Sequence, residues 1–177
     1  YSNQGYFIIL IGEHGHPETV GICSYAKDDR IMVVSNEKDF LLWQGTDGPI
    51  LVLAQTTCSL DFFLKIAEKI KATFSEVYVI NTICYATQKR QQEIEFLIKS
   101  GCDSILVLGS DFSKNTNELA QIVINRGCEV QISRGVKYLD ANFINNSEIL
   151  GLTSGASTDI ITVTEVKEYL TQLLISE

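Results

Sequence analysis

The sequence is poor in proline, histidine and tryptophan, and it has no long hydrophobic run. It contains 2 prolines, 2 histidines and 1 tryptophan in 177 residues. No apolar segment approaches the ~20 residues that cross a bilayer, and no stretch is proline-rich or of low complexity, which argues against a membrane span and a flexible interdomain linker. The first ten residues lack the basic start and cleavage site of a signal peptide. They begin with Tyr1 rather than Met, which we expect to mark a fragment boundary.

Positive charge is also scarce. The chain has 14 Lys and Arg against 22 Asp and Glu, which gives a net charge of −8. Because nucleic acids and anionic membranes are bound mainly through Lys and Arg, we expect neither as a partner. Any phosphate ligand would have to be held by backbone N–H groups, hydroxyl groups and a few local cations.

The cysteines form no CxxC pair and no other close cluster. Their number is odd and their spacing wide, which predicts a reducing, intracellular chain without a disulfide framework. The five are Cys23, Cys58, Cys84, Cys102 and Cys128.

The hydrophobic pattern predicts an α/β fold. Short runs rich in Ile and Val are typical of parallel strands buried on both faces, and they alternate with longer amphipathic stretches, as in right-handed βαβ units. The predicted strands are 6–12, 30–35, 50–55, 77–81, 104–109, 129–133 and 148–153, and the predicted helices are 59–74, 86–101, 115–127 and 163–175. The pattern restarts near residue 83. We therefore expect two small domains, 1–82 and 83–177, each with a parallel sheet flanked by helices.

Polar residues follow the predicted strands at their carboxyl ends, where ligands gather in open α/β sheets. Pro17, at a first helical position after His16, would leave free N–H groups above the sheet. Ser113, Asn115 and Ser157 could add donors, and helix N-termini with neutral donors can bind a phosphate even in an acidic protein. Ser, Thr and Asn are equally typical of ordinary helix N-caps. For His16 and Glu18, a local hydrogen bond at a helix start is the alternative to a chemical role.

Cys84 lies where a predicted strand gives way to a predicted helix, and three interpretations compete. Cysteine is among the most buried residue types, which favours a core thiol. A nucleophile would need a base, and the chain has only two histidines to supply one. A zinc site could combine Cys84 with His14, His16 and Glu18. Spacing alone does not decide between them.

Five blocks occur in the order that is found in the 4-hydroxy-3-methylbut-2-enyl diphosphate reductases, the IspH/LytB family, and the sequence resembles that family from about Tyr6 to the final helix. The blocks are "IGEHGHPETVG", "QTTCS", "NTICYATQKRQ", "LGSDFSKNTNEL" and "GLTSGAST". The resemblance implies a trefoil of three small α/β domains around a 4Fe–4S cluster, held by one cysteine thiolate from each domain. It also implies a reaction in which two electrons and two protons remove the substrate's hydroxyl as water. Isopentenyl and dimethylallyl diphosphate are the products, and a ferredoxin or flavodoxin is the electron donor.

The resemblance assigns roles to residues of the first three blocks. Cys84 matches the last cluster cysteine, and His16 matches the histidine that contacts the substrate. Glu18 matches the acid of a proton relay, and Thr56 matches the threonine that works with it. Thr87 lies in the block that lines the cavity.

The last two blocks imply a diphosphate site. Ser113, Asn115 and Ser157 match the residues that grip the diphosphate. The usual Ser-Ser-Asn is Ser-Lys-Asn here, so Lys114 either adds a cation for the diphosphate or extends outward. A proline commonly follows the last block, whereas Asp159 stands there in this sequence, which changes the helix start and adds a negative charge.

The first domain of the family, with two cluster cysteines and two diphosphate-binding histidines, would precede Tyr1. The other four cysteines match no ligand position, so we expect the chain alone not to hold a cluster robustly. The competing interpretation is a non-catalytic α/β module that binds a phosphorylated metabolite. The expected compartment is the bacterial cytoplasm or a plastid-type organelle.

Overall fold

The computed structural model describes residues 1–27, 29–43 and 45–175, with side chains as far as residue 173. The chain divides into two compact units, Tyr1–Cys84 and Tyr85–Glu177. Each unit holds one parallel β-sheet with its own hydrophobic core. The sequence-based boundary, between residues 82 and 83, lies two residues before the observed division.

The first unit is built on a four-stranded parallel sheet with the strand order β2-β1-β3-β4. Its strands are β1 (Phe7–Ile11), β2 (Ile31–Val34), β3 (Ile50–Ala54) and β4 (Val77–Val79). Its α-helices are α1 (Pro17–Cys23), α2 (Glu37–Leu41) and α3 (Leu60–Thr73), and a 3-10 helix spans Ser2–Gln4. The central strands β1 and β3 are covered on both faces, and this explains their nearly uninterrupted apolar sequence.

Helix α3 covers the sheet with an apolar stripe at helical spacing. Phe63, Ile66 and Ile70 are at most 1% exposed and pack with the strands. The helix begins after Ser59, whose hydroxyl accepts from the Phe62 amide at 3.4 Å, as an N-cap should. The predicted cap and the predicted helix are both present.

The second unit is built on a three-stranded parallel sheet with the order β6-β5-β7. Its strands are β5 (Ser104–Leu108), β6 (Glu129–Ser133) and β7 (Leu150–Ser154). Its α-helices are α4 (Tyr85–Lys99), α5 (Lys114–Asn125), α6 (Ala141–Asn146) and α7 (Ile160–Ile175), with a 3-10 helix at Val136–Tyr138. Residues of α4 and α5 form one core with β5, and residues of α7 form a second.

Each unit has the same backbone hydrogen bond at the carboxyl ends of its strands. The amide after β3 donates to the last residue of β1, from Gln55 N to Ile11 O at 2.8 Å. The equivalent bond in the second unit joins Gly155 N to Leu108 O, also at 2.8 Å. The loop after the first strand and the loop after the third strand therefore lie side by side in each unit.

Two parallel sheets flanked by helices confirm the predicted fold class, and every predicted strand and helix is present. Helices α2 and α6 were not predicted because they are short. Helix α2 carries a capping box, in which Asn36 and Asp39 bond reciprocally to each other's backbone, and that signal is readable in the sequence. Strand β4 is shorter than predicted. None of the described helices combines the length and the hydropathy that a membrane span requires.

The substitution Gly109→Ala is expected to destabilise the chain by about 2–4 kcal/mol. Gly109 has a φ of 152°, and an added Cβ would lie 2.4 Å from the Oγ1 atom of Thr116, which is fully buried. Urea unfolding would measure the loss. The matched control is Gly127→Ala, at a φ of 78° with nothing within 4 Å of the added Cβ, where only backbone strain of about 1 kcal/mol applies. Equal losses in the two variants would contradict the steric argument.

Candidate functional site

The loop from β1 to α1 ends at His16, which caps the helix. The backbone of His16 is extended, and its Nδ1 atom accepts a hydrogen bond from the amide of Glu18 at 3.1 Å. Pro17 occupies the first helical position, as predicted. Because Nδ1 accepts, a neutral His16 carries its proton on Nε2 and can donate it to a ligand.

Glu18, on the first turn of α1, is bound at both oxygens by Thr56 of the next loop. Oε1 accepts from the Thr56 amide at 2.8 Å, and Oε2 accepts from the Thr56 hydroxyl at 2.9 Å. The two residues are 38 positions apart in sequence and meet because β1 and β3 are neighbours in the sheet. A carboxyl group held in this way beside a hydroxyl can pass a proton, so the pair has the chemistry of a relay.

Cys84 is linked to Thr56 by a backbone hydrogen bond. Its amide donates to the carbonyl of Thr56 at 2.9 Å, and its side chain is exposed. The core-thiol interpretation is therefore wrong, since a packed thiol would be buried. Within the described ranges no three His, Cys, Asp or Glu side chains lie close enough together to hold a metal ion, so the zinc interpretation with His14, His16 and Glu18 is wrong as well.

His14 and Asp39 fasten the loop that carries His16. Oδ2 of Asp39 accepts from the Ser35 amide at 2.8 Å and lies 3.0 Å from Nε2 of His14. Burial opposes ionisation of Asp39, but the bonds from Ser35 and His14 outweigh it and hold the pKa of that carboxyl below its usual value. The His14 amide also donates to the Ser35 hydroxyl at 3.0 Å. The loop that precedes His16 is thus held by hydrogen bonds from both the backbone and the side chain of His14.

The second unit presents a helix N-terminus with buried polar groups. Ser113 caps α5, and its hydroxyl accepts from the Thr116 amide at 3.4 Å. Asn115 is 7% exposed, and neither polar atom of its side chain has a hydrogen-bond partner among the described residues. The Thr116 hydroxyl is also buried without a described partner. Since buried polar groups are nearly always bonded, these atoms indicate a polar ligand or water at the start of α5.

Two glycines bring the surrounding backbone close to this helix start. A Cβ atom at Gly109 would lie 2.4 Å from Oγ1 of Thr116, and one at Gly155 would lie 2.6 Å from the same atom. The Gly155 position is also 3.7 Å from Nδ2 of Asn115. Glycine at these two points lets the loop backbone pack directly against the first turn of α5.

Ser157 and Asp159 lie in the loop between β7 and α7. Ser157 is exposed in a turn. Asp159 accepts from the amide and from the hydroxyl of Thr162, both at 2.8 Å, and so caps the start of α7. The Thr162 amide is the main cause of a lowered pKa at Asp159. The aspartate that replaces the usual proline therefore directs its charge at its own helix.

The sequence did not predict the contacts of Lys114 or the burial of Thr87. The ammonium group of Lys114 lies 3.1 Å from a carboxylate oxygen of Glu118, one turn along α5. Thr87 lies in α4 and is 2% exposed.

The structure therefore links four predicted residues in the first unit, His16, Glu18, Thr56 and Cys84. In the second unit it places Ser113 and Asn115 at one helix start. Sequence reasoning missed Gln55 and Thr116. Gln55 could have been found as a polar residue directly after a fully apolar strand.

Comparison with known proteins gives a consistent result. The family profile described as "LytB protein" matches residues 1–171. The 4-hydroxy-3-methylbut-2-enyl diphosphate reductases of Nitrosomonas europaea and Saccharophagus degradans are 32% and 34% identical, over 96% of this chain in each case. The chain spans about half the length of these curated relatives, 54% and 56%. The solved structure of the E-1-hydroxy-2-methyl-but-2-enyl-4-diphosphate reductase from Plasmodium falciparum has a TM-score of 0.85 at 30% identity, covering 97% of this chain and 54% of that one.

Proposed function

Because the chain belongs to the LytB protein family, we propose that it forms two domains of a 4-hydroxy-3-methylbut-2-enyl diphosphate reductase, an oxidoreductase of non-mevalonate isoprenoid biosynthesis. The reaction breaks the carbon–oxygen bond of the substrate's hydroxyl group. Two electrons and two protons are consumed, water leaves, and isopentenyl or dimethylallyl diphosphate remains. A third domain, supplied by the longer protein, would complete the trefoil.

The observation that carries this proposal is the contact of both Glu18 oxygens with Thr56, whose carbonyl also accepts from the amide of Cys84. An acid, a hydroxyl group and an exposed thiol at adjoining strand ends match the requirements of a reductive dehydroxylation. In the proposed reaction Glu18 supplies the proton that turns the leaving hydroxyl into water, and Thr56 relays it. The Nε2–H group of His16 would donate to a substrate oxygen.

The start of α5 is the proposed diphosphate site. The chain is acidic overall, so local donors must do the binding, and the helix N-terminus adds a favourable dipole. The donors we assign to the phosphate oxygens are the hydroxyl of Ser113 and the side-chain amide of Asn115, which has no partner among the described residues. Ser157 would add a third donor from the neighbouring loop, Lys114 would add local positive charge, and Thr87 would line the cavity.

The proposed cluster would need thiolate ligands in addition to Cys84. Cys84 is exposed at a strand end and fits the role of a thiolate ligand, whereas the described residues offer no group of three metal-binding side chains. When bound, a 4Fe–4S cluster would supply the electrons for the reduction and Lewis-acid chemistry at iron. We propose that the other two thiolates come from the further domain and that a ferredoxin or flavodoxin delivers the electrons. The bacterial relatives support the cytoplasm as the compartment, and a plastid-type organelle is the alternative.

The test compares the chain alone with the chain joined to the domain that its longer relatives carry. Iron, acid-labile sulfide and substrate-dependent oxidation of an artificial electron donor are measured after anaerobic reconstitution. We expect little iron in the chain alone, and a near-stoichiometric cluster with reductase activity in the joined protein. A joined protein that binds diphosphate but neither iron nor sulfide would instead support the non-catalytic phosphate-binding module.

The substitution Asn115→Leu is expected to weaken binding of inorganic diphosphate by about 10–100-fold, the cost of losing a buried hydrogen bond to a charged group. Isothermal titration calorimetry on the chain would measure it. Asn125→Leu is the matched control, because Asn125 is an exposed residue at the opposite end of α5. Similar affinities in both variants would contradict the assignment of Asn115.

A further inference from the structure

Gln55 is a buried polar residue that the proposed reaction leaves without a role. It follows β3 directly, and its side chain is 1% exposed. A Cβ atom at Gly12 would lie 2.8 Å from Cβ of Gln55 and 3.0 Å from its Oε1 atom. The glutamine therefore fills the space that the glycine leaves open, between the loops that carry His16 and Thr56.

The oxygen of this side chain fastens one end of the β1–α1 loop. Oε1 of Gln55 accepts from the amide of Glu13 at 3.0 Å. The next residue, Thr56, binds Glu18 at the other end of the same loop. Two consecutive residues thus hold the beginning and the end of the segment that presents His16.

The nitrogen of the same side chain has no partner among the residues that the structure describes. The Oγ1 atom of Thr57, two positions on, is also buried without a described partner. Buried amide donors in proteins are nearly always bonded to protein or to ordered water. Each of these two groups, on either side of Thr56 in the sequence, indicates a polar partner that is not part of the described chain.

We propose that Gln55 is a positioning residue of the reductase site, whose Oε1 fixes the β1–α1 loop and whose Nε2 donates to an oxygen bound beside Thr56. This inference rests on the proposed function. The oxygen belongs to an ordered water molecule or to the bound ligand, and both present the same acceptor to the amide. Glutamine suits the position because one side chain offers an acceptor and a donor at once, which an ionised glutamate or a methionine does not.

High-resolution crystal structures of the chain, without ligand and soaked with 4-hydroxy-3-methylbut-2-enyl diphosphate, test the second contact. An oxygen within about 3.2 Å of Nε2 is expected in at least one of them. A water molecule that remains after soaking assigns the acceptor to water, and its replacement by the hydroxyl oxygen of the substrate assigns it to the ligand. The absence of any oxygen near Nε2 in both structures would overturn the proposal.

Kinetics of the cluster-loaded, intact reductase test the role in positioning. Gln55→Glu keeps an acceptor for Glu13, and we expect a kcat about tenfold lower, with KM changed less than threefold and a pH profile that follows the introduced carboxyl. Gln55→Met loses both contacts, and its kcat should fall further. The Glu13 amide, followed by hydrogen exchange, should stay protected in Gln55→Glu and lose protection in Gln55→Met.

The control is Gln131→Glu. Gln131 also ties a loop with both ends of its amide, to the Tyr138 carbonyl at 2.8 Å and to the Asp140 amide at 3.3 Å, but it lies on β6. Its substitution should leave kcat and the pH profile unchanged. Wild-type kcat and an unchanged pH profile in Gln55→Glu would overturn the inference about Gln55. Loss of function in Glu18→Gln would in that case leave the proposed reductase function standing, so the two failures are distinguishable.

Discussion

The substitution Glu18→Gln in the intact reductase is expected to lower kcat by about 10²–10⁴-fold, the usual contribution of a general acid. The amide keeps the shape of the side chain and one oxygen that can accept from the Thr56 amide, which donates at 2.8 Å in the native chain. It has no acidic proton to give to the leaving hydroxyl. Iron content and KM should therefore change little, and the loss should fall on kcat in steady-state assays.

The control for this variant is Glu165→Gln on α7, where the carboxylate is exposed. It makes the same change of charge at an exposed position of the second unit, and activity should be retained. A Glu18→Gln enzyme with wild-type kcat would show that the proton reaches the substrate by another route. A raised KM with unchanged kcat would mean that Glu18 binds the substrate and does not deliver the proton.

The substitution Cys84→Ala is expected to reduce bound iron, acid-labile sulfide and reductase activity to background. The contact between Cys84 and the rest of the site is made by its backbone amide, which alanine retains, at 2.9 Å from the Thr56 carbonyl in the native chain. The exposed thiol adds little packing, so the fold should persist. Iron analysis and circular dichroism on the same preparation would separate loss of a ligand from loss of structure.

Cys23→Ala provides the comparison. Cys23 lies at the end of α1 and is partly exposed, so its removal costs little packing and should leave the iron content unchanged. Equal iron in the Cys84 and Cys23 variants would show that Cys84 is not a ligand. Loss of iron in both would point to general instability.

The fold was largely predictable because its central strands are apolar on both faces. The run from Phe7 to Ile11 is buried at every position, and no amphipathic helix has that composition. Helices α2 and α6 were missed because segments of five and six residues carry too little periodicity to stand out. The start of α2 is set by the local cap Asn36, and a single cap is too weak a signal to predict so short a helix from the sequence.

The sequence named the residues of the candidate site, and it did not predict the contacts between them. The order of the five sequence blocks identified Glu18 and Thr56, yet the contact between them depends on β1 lying next to β3, which no local pattern encodes. For Cys84, residue chemistry left three interpretations open, and the exposure of its side chain excludes the core thiol. The burial of Gln55 depends on the missing side chain at Gly12, a fit that exists only in three dimensions.

The glycines beside α5 also limit how a ligand can be oriented. Thr116 is fully buried and would meet a Cβ atom at either Gly109 or Gly155, so it forms a closed floor beneath the start of the helix. We expect an elongated molecule bound there by its anionic end to find no space deeper in the unit, so that its carbon chain would point outward. The second unit would therefore tolerate changes at the far end of the carbon chain and reject an ester group on the terminal phosphate.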